Sequence, residues 1–181
     1  NVHERCAMAA AVRSLSRGRR AVRCGMRATC WYRAPQPRRS HLAEIKQAGI
    51  ETIFNLRGLH PFPGQERWGA ACVKAGLAYR ELPALAADAP QSWMIQKVLD
   101  AFAQATFPVL IHCKAGADRT GFAAALFLHY HEGWDIAEAA RHQLTPDFGH
   151  DRHSRTGILD AFFAAFAAQS QVESFDQWWR G

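Results

Sequence analysis

The stretch HCKAGADRTG, residues 112–121, sets a cysteine and an arginine six positions apart, with a glycine between them and a threonine after. It follows the apolar run FPVLI and leads into FAAALFLHY. That order reads as strand, short loop, helix. Backbone N–H groups of such a loop can converge into an anion nest. The unpaired N–H groups and positive end of the next helix add to it. Arg119 offers a planar, two-pronged donor to two phosphate oxygens. The same field favours the thiolate at Cys113, and a thiolate beneath a bound phosphate can attack phosphorus to give a phosphocysteine. Thr120 can offer its hydroxyl to the sulfur as it leaves. His112 can hydrogen-bond the loop backbone and fix its shape.

These residues need a rigid frame. WYRAPQP (31–37) reads as a strand entering a proline turn, and SHLAEIKQAGI as a helix with Ser40 as N-cap and Gly49 as stop. Strands follow over 51–58, 77–82 and 108–112, the last continuously apolar and so central. Helical spacing covers 65–76, 91–105, 120–132, 136–144 and 157–168. Strands alternating with helices predict an α/β fold, a mainly parallel central sheet flanked by helices. Ligands in such folds sit at the carboxyl ends of the strands, where Cys113 lies.

Composition narrows the class. The 181 residues are 49% hydrophobic, enough for one domain with a real core. No apolar stretch approaches the ~20 residues of a transmembrane helix, so a soluble, cytoplasmic protein is expected, with peripheral contact to a membrane surface left open. The net charge of +6 is unevenly spread: residues 1–39 hold ten arginines and one acid, whereas residues 40–181 hold twelve Lys/Arg and fifteen Asp/Glu. The body is slightly acidic, which argues against nucleic acid as a partner. Residues 1–30 form a basic arm without an initiator methionine, expected to be disordered or an extension foreign to the domain. The domain itself is placed at 31–170 and a tail at 171–181. None of the five cysteines forms a Cys-x-x-Cys pair, so a zinc or thioredoxin-type site is not supported, and a reducing compartment is expected. Cys72 reads as a buried small hydrophobe. His129 and His131, two apart on a helix, face different ways and make a poor metal pair. The turn GHDRHSRTG (149–157), dense in His and Arg, can border the pocket but reads first as a polar connection between helices; Phe162, Phe163 and Phe166 read as core, and FDQWW can dock on the body or on a partner.

His-Cys, five residues, then Arg-Thr resembles the signature of the cysteine-dependent protein tyrosine phosphatase superfamily. WYRAPQP followed by LAEIKQAGIETIFNLRG resembles the opening of the small bacterial, plant and fungal dual-specificity phosphatases, and FGHDRHSRTGILDAFF resembles a proteobacterial subgroup. The resemblance spans about residues 31–144. It implies the dual-specificity phosphatase fold, Cys113 as nucleophile, Arg119 as phosphate clamp, and the amides of Lys114, Ala115, Gly116, Ala117 and Asp118 as donors. It implies no metal and no organic cofactor. The family's general acid is an aspartate on a separate loop; Asp88 in LPALAADAP is the first candidate. Asp118 is the second, because myotubularin-type lipid phosphatases are similar in having Asp-Arg-Thr there; it can instead pair with Arg119 or orient the loop. Arg57 can reach the phosphate or substrate, or pair with Glu81.

The expected partner is a phosphorylated protein. HCKAG is similar in form to the loop of the phosphatase and tensin homologue lipid phosphatases, and Lys114 adds a charge suited to phosphoinositides, inositol phosphates or lipid A. Two other classes are weighed: a rhodanese-like sulfurtransferase, whose loop does not need Arg-Thr-Gly, and an inactive phosphate-binding module, which usually lacks the Cys or the Arg. Oligomeric state is not legible.

Overall fold

The computed structural model describes residues 23–24, 30–58, 62–169 and 174–181. The basic arm thus lies almost wholly outside the described residues. Its described residues are Arg23 and Cys24, which form strand β1 (Arg23–Cys24), and Cys30, which opens the antiparallel β2 (Cys30–Ala34) opposite Cys24. Three more strands follow: β3 (Thr52–Asn55), β4 (Ala78–Glu81) and β5 (Val109–His112). The sheet order is β1-β2-β5-β3-β4, and the β2–β5, β5–β3 and β3–β4 pairs are parallel. The continuously apolar β5 is buried throughout and lies between two parallel partners, as its composition demands. β4 is the mostly exposed edge.

Side chains alternate across the sheet with the period of two that a pleated strand imposes. Trp31, Phe54, Val109 and Ile111 enter one core, and Tyr32, Ile53 and Leu110 the other. Helices α1 (Leu42–Gln47) and α2 (Gln65–Lys74) cover the second face through Leu42, Ile45, Trp68 and Cys72. Helices α3 (Ser92–Ala103), α4 (Asp118–Glu132), α5 (Ile136–Gln143) and α6 (Ile158–Ala167) cover the first. α4 is buried over most of its circumference, from Thr120 to Leu128, so it is the central helix of that layer. Phe127 stands against Trp31 at 5.7 Å and Phe102 at 4.9 Å between ring centroids.

Several expectations change. Ser40 is not an N-cap: it sits inside a 3₁₀ turn, Arg39–His41, where the His41 ring accepts from the Arg38 amide at 3.2 Å. The segment expected to be a tail contains helix α7 (Phe175–Arg180), whose Phe175 and Trp179 are buried in the first core. Polar anchors hold it there. The Trp179 indole donates to the Tyr130 hydroxyl at 2.7 Å, and that hydroxyl donates to Asp176 at 2.9 Å. Cys30 is disulfide-bonded, which departs from the all-thiol pattern of a reducing compartment; Cys72 and Cys113 are free. Among the described residues no helix is long and apolar enough to cross a membrane.

Candidate active site

Strand β5 ends at His112, and the chain turns through residues 113–117 into α4 at Asp118. The turn is tight because Gly116 is left-handed, at φ +71°. A Cβ there would also stand 2.6–2.7 Å from the backbone of Ala34 and Pro35. Only glycine fits. Its amide points inward and donates to Cys113 Sγ at 3.2 Å. Neighbouring strands brace the loop: the Gln36 amide donates to Lys114 O at 3.2 Å, and the Leu56 amide to His112 O at 2.9 Å.

Arg33, which the sequence reading passed over, carries much of this geometry. It is 2% exposed, in a strand otherwise apolar. Its guanidinium donates to Gly116 O (2.8 Å), Ala117 O (2.9 Å), Gln143 O (3.1 Å) and Gln143 Oε1 (2.9 Å). By capturing two loop carbonyls from behind, it leaves the amides to face the other way. Burial lowers its pKa to about 10, opposed by the charges at Cys113 and Asp118, so the group stays cationic at neutral pH. The one signal available in sequence was a charged residue inside a buried strand.

Cys113 is 2% exposed. Arg119, the residue after Asp118, has a buried Nε and Nη1 with no hydrogen-bond partner among the described residues. Arg57, just beyond β3, is close enough to feel both: burial and the Arg119 charge push its pKa down, and Cys113 pushes it up. Its guanidinium donates to Gln36 Oε1 at 3.3 Å and lies over the Phe62 ring at 4.4 Å. The pairing with Glu81 does not form; Glu81 accepts from the Tyr79 hydroxyl at 2.9 Å. Two guanidiniums with unmet donors beside a sulfur fit a tetrahedral oxyanion.

His112 is fully buried, with Nδ1 3.4 Å from Cys113 O and Trp68 against its edge. Since a carbonyl only accepts, Nδ1 carries the proton. Burial drives its pKa down to about 3, with Arg57 and Arg119 adding to the effect, so the ring is neutral. Thr120 Oγ1 is buried without a partner among the described residues, and its expected bond to the sulfur is not formed. Lys114 and Ala115 are exposed at the rim.

The aspartates part company. Asp88 is exposed on the loop between β4 and α3, at the carboxyl edge of the sheet. Asp118 pairs not with Arg119 but with His150, whose Nδ1 is 2.7 Å from Asp118 Oδ1. His150 lies in the His- and Arg-rich stretch that could border the pocket or serve as a polar connection. Its partners are 32 and 10 residues away, so the local density of His and Arg could mark the stretch but not the pairing. Among the described residues no group of three or more His, Cys, Asp or Glu is arranged to hold a metal ion.

Comparison with known proteins agrees with this architecture. A model of the tyrosine phosphatase family matches residues 12–135, more than half of the sequence and including part of the basic arm. The chain belongs to the tyrosine phosphatase family. It is a cysteine-dependent phosphatase. Among solved structures it resembles a variant of TpbA from P. aeruginosa in complex with phosphotyrosine. That pair is 22% identical with a TM-score of 0.51, over 77% of this chain and 86% of that one. It also resembles Tk-PTP in its active form, at 20% identity and TM-score 0.57 over 78% and 95% of the two chains. Kinase associated phosphatase matches at 18% and 0.53 over 78% and 88%. The fold is that of the protein tyrosine and dual-specificity phosphatases. No curated protein matches.

Proposed function

We propose that the chain hydrolyses phosphomonoesters, phosphotyrosine in proteins first among them, through a phosphocysteine at Cys113. The observation that carries this reading is the cradle itself: the inward Gly116 amide 3.2 Å from Cys113 Sγ, and Arg119 with buried, unmet donors beside it. Loop amides and Arg119 hold the equatorial oxygens, Cys113 attacks in line, and the ester oxygen departs. Water then hydrolyses the phosphocysteine and returns the thiolate. Arg57 adds a second cation to the substrate side. His112 stays neutral and fixes the backbone through Cys113 O. Arg33 is a positioning residue acting through the carbonyls of Gly116 and Ala117.

Cys113→Ser tests it. Turnover of p-nitrophenyl phosphate should fall by at least about 10⁴-fold in a variant that still binds vanadate. Retained turnover would overturn the assignment.

A second reading, a phosphoinositide, inositol phosphate or lipid A phosphatase on the same cradle, is supported by exposed Lys114 and by Arg57 beside Arg119. These cations suit substrates with several phosphates. Phosphate release from phosphotyrosine peptides, phosphoinositides and lipid A compares the two. Activity confined to peptides removes the lipid reading.

A further inference from the structure

After α5 the chain runs from Leu144 to Gly157 through two short 3₁₀ turns and folds back onto the first turn of α4. The fold-back is close: a Cβ on Gly157 would stand 2.0 Å from Arg152 O. It delivers His150, 2% exposed, between two carboxylates from different helices. Nδ1 faces Asp118 Oδ1 at 2.7 Å and Nε2 faces Asp160 Oδ2 at 2.6 Å. Asp118 opens α4, next to Arg119, and Asp160 lies in the first turn of α6.

Counting protons constrains this arrangement. An ionised carboxylate only accepts, and a neutral imidazole donates from one nitrogen only. Two short contacts therefore need two protons among the three groups: both on His150, or one on the ring and one on a carboxylate. Either way the unit has a net charge of −1, and passing one proton along the 2.7 Å contact between Nδ1 and Oδ1 converts Asp118 from carboxylate to acid. Burial pushes His150 down, but the two carboxylates hold it above the ordinary histidine value. Burial pushes Asp118 up, but His150 and Thr156 hold it below the usual carboxylate range. The resting arrangement is thus an imidazolium between two carboxylates. Other charges around it are Arg141 from α5 and Asp151, Arg152 and His153 from its own segment, which line the same cavity of about 520 Å³. Arg33 and Arg119 lie on the Asp118 side.

We propose that Asp118, His150 and Asp160 form one proton-storing unit beside the cradle, in which His150 and Asp160 are positioning residues that supply Asp118 with the proton given to the departing oxygen. This rests on the phosphatase reading above. In the first step the sulfur–phosphorus bond forms as the phosphorus–ester oxygen bond breaks. The His150 Nδ1 proton moves to Asp118 and on to that oxygen, so Asp118 ends as a carboxylate, His150 as a neutral ring with its proton on Nε2, and the unit is left with one proton. In the second step water attacks the phosphocysteine, the thiolate departs, and the proton lost by water returns to the unit. Overall a phosphomonoester and water become an alcohol or phenol and inorganic phosphate, with no net gain or loss of protons by the protein.

The test compares wild type with Asp118→Asn, His150→Gln, Asp160→Asn, Asp160→Glu and Asp88→Asn on phenyl phosphate and 2,4-dinitrophenyl phosphate. The first ester needs a proton on its leaving oxygen and the second does not. Asp118→Asn and His150→Gln should lose about 10²-fold in kcat on phenyl phosphate. They should lose less than threefold on the dinitrophenyl ester, with KM nearly constant on both. Asp160→Asn should move the alkaline limb of kcat for phenyl phosphate to lower pH by about a unit, and Asp160→Glu should restore it. Equal losses on both esters, an unmoved limb, or an ester-selective loss confined to Asp88→Asn would overturn the proposal. The His150 ring resonances, followed by NMR against pH in wild type and Asp160→Asn, give a readout that needs no turnover and a control should His150→Gln not fold. A ring that titrates at or below the free-histidine value overturns the unit even if catalysis is intact. Failure of the phosphatase reading is separate: it shows as wild-type turnover that survives Cys113→Ser.

Discussion

His112 stands before one loop and His150 pairs with Asp118 just after it; they are 0% and 2% exposed and hold different charge states. His112 closes a central strand, with Trp68 at its edge and a weak 3.4 Å contact to a carbonyl. Burial is the larger effect and drives the ring neutral, the carbonyl of Cys113 favours a proton only weakly, and Arg57 and Arg119 oppose one. His150 has a carboxylate at each nitrogen, and they outweigh the cost of burial. Burial alone therefore does not set a histidine's charge; the groups at its two nitrogens do. The cradle has a neutral floor and a charged flank, so the field on the bound anion comes from Arg119 and Arg57 and the proton supply is kept apart from it.

The largest effect should come from deleting the flank. His150→Leu leaves two carboxylates facing an alkyl chain, and removing one partner of a buried ion pair costs up to ~3–5 kcal/mol. Because Asp118 and Asp160 are about a quarter exposed, roughly 2–3 kcal/mol is expected here. His112→Leu removes a long hydrogen bond and an unpartnered Nε2 at similar volume, so it should cost less than about 1 kcal/mol. Urea unfolding at pH 6 measures both. Equal costs would dissolve the distinction.

The pH dependence of stability should separate the two more finely. A group raised on folding, as His150 is, contributes fully below its unfolded value near ~6.5 and loses that contribution as pH rises through its higher folded value. His112, lowered to about 3, acts with the opposite sign: between about 3 and ~6.5 the unfolded chain takes up a proton that the folded chain refuses, so stability falls as pH falls. Asp118, held below the usual range, adds to the loss at still lower pH. His150→Gln should flatten the alkaline limb and leave the limb between pH 6 and 4.5. His112→Gln should do the reverse. Urea midpoints at pH 4.5, 6 and 8 suffice, and an alkaline limb unchanged in His150→Gln would contradict the charge assigned to it.

The cradle was legible in sequence and the flank was not, for one physical reason. Cys113, Gly116 and Arg119 act through a seven-residue stretch whose geometry is local, so spacing and strand–helix context exposed it. The parallel sheet was legible too, because strand and helix periods differ. Arg33 reaches Gly116 across 83 positions and Gln143 across 110, and Asp118 meets His150 across 32. Such pairs exist only once the sheet has closed. The same holds for α7: the sequence leaves open whether Phe175 and Trp179 dock on the body or on a partner, and the fold seats them on the body with Tyr130 and Ser92 as hydrogen-bond partners. Ser40 misled because a serine before an apolar face fits an N-cap, whereas the preceding 3₁₀ turn placed it inside the helical path.

Lys46 and Glu51 provide the smallest test. Their ion pair, at 2.8 Å, is about as short as those of His150, but the side chains are 36% and 42% exposed. Water already solvates both ends, so forming the pair gains little over separate ions and removing one end leaves no stranded charge. Lys46→Met should shift unfolding by less than about 0.5 kcal/mol, with the slopes of stability between pH 4.5 and 8 unchanged. If it cost as much as His150→Leu, contact distance rather than seclusion from water would govern these pairs, and the contrast between flank and surface would fail. The near-neutral result instead ties the strong proton coupling to the site where the fold brings two carboxylates onto a ring that solvent does not reach.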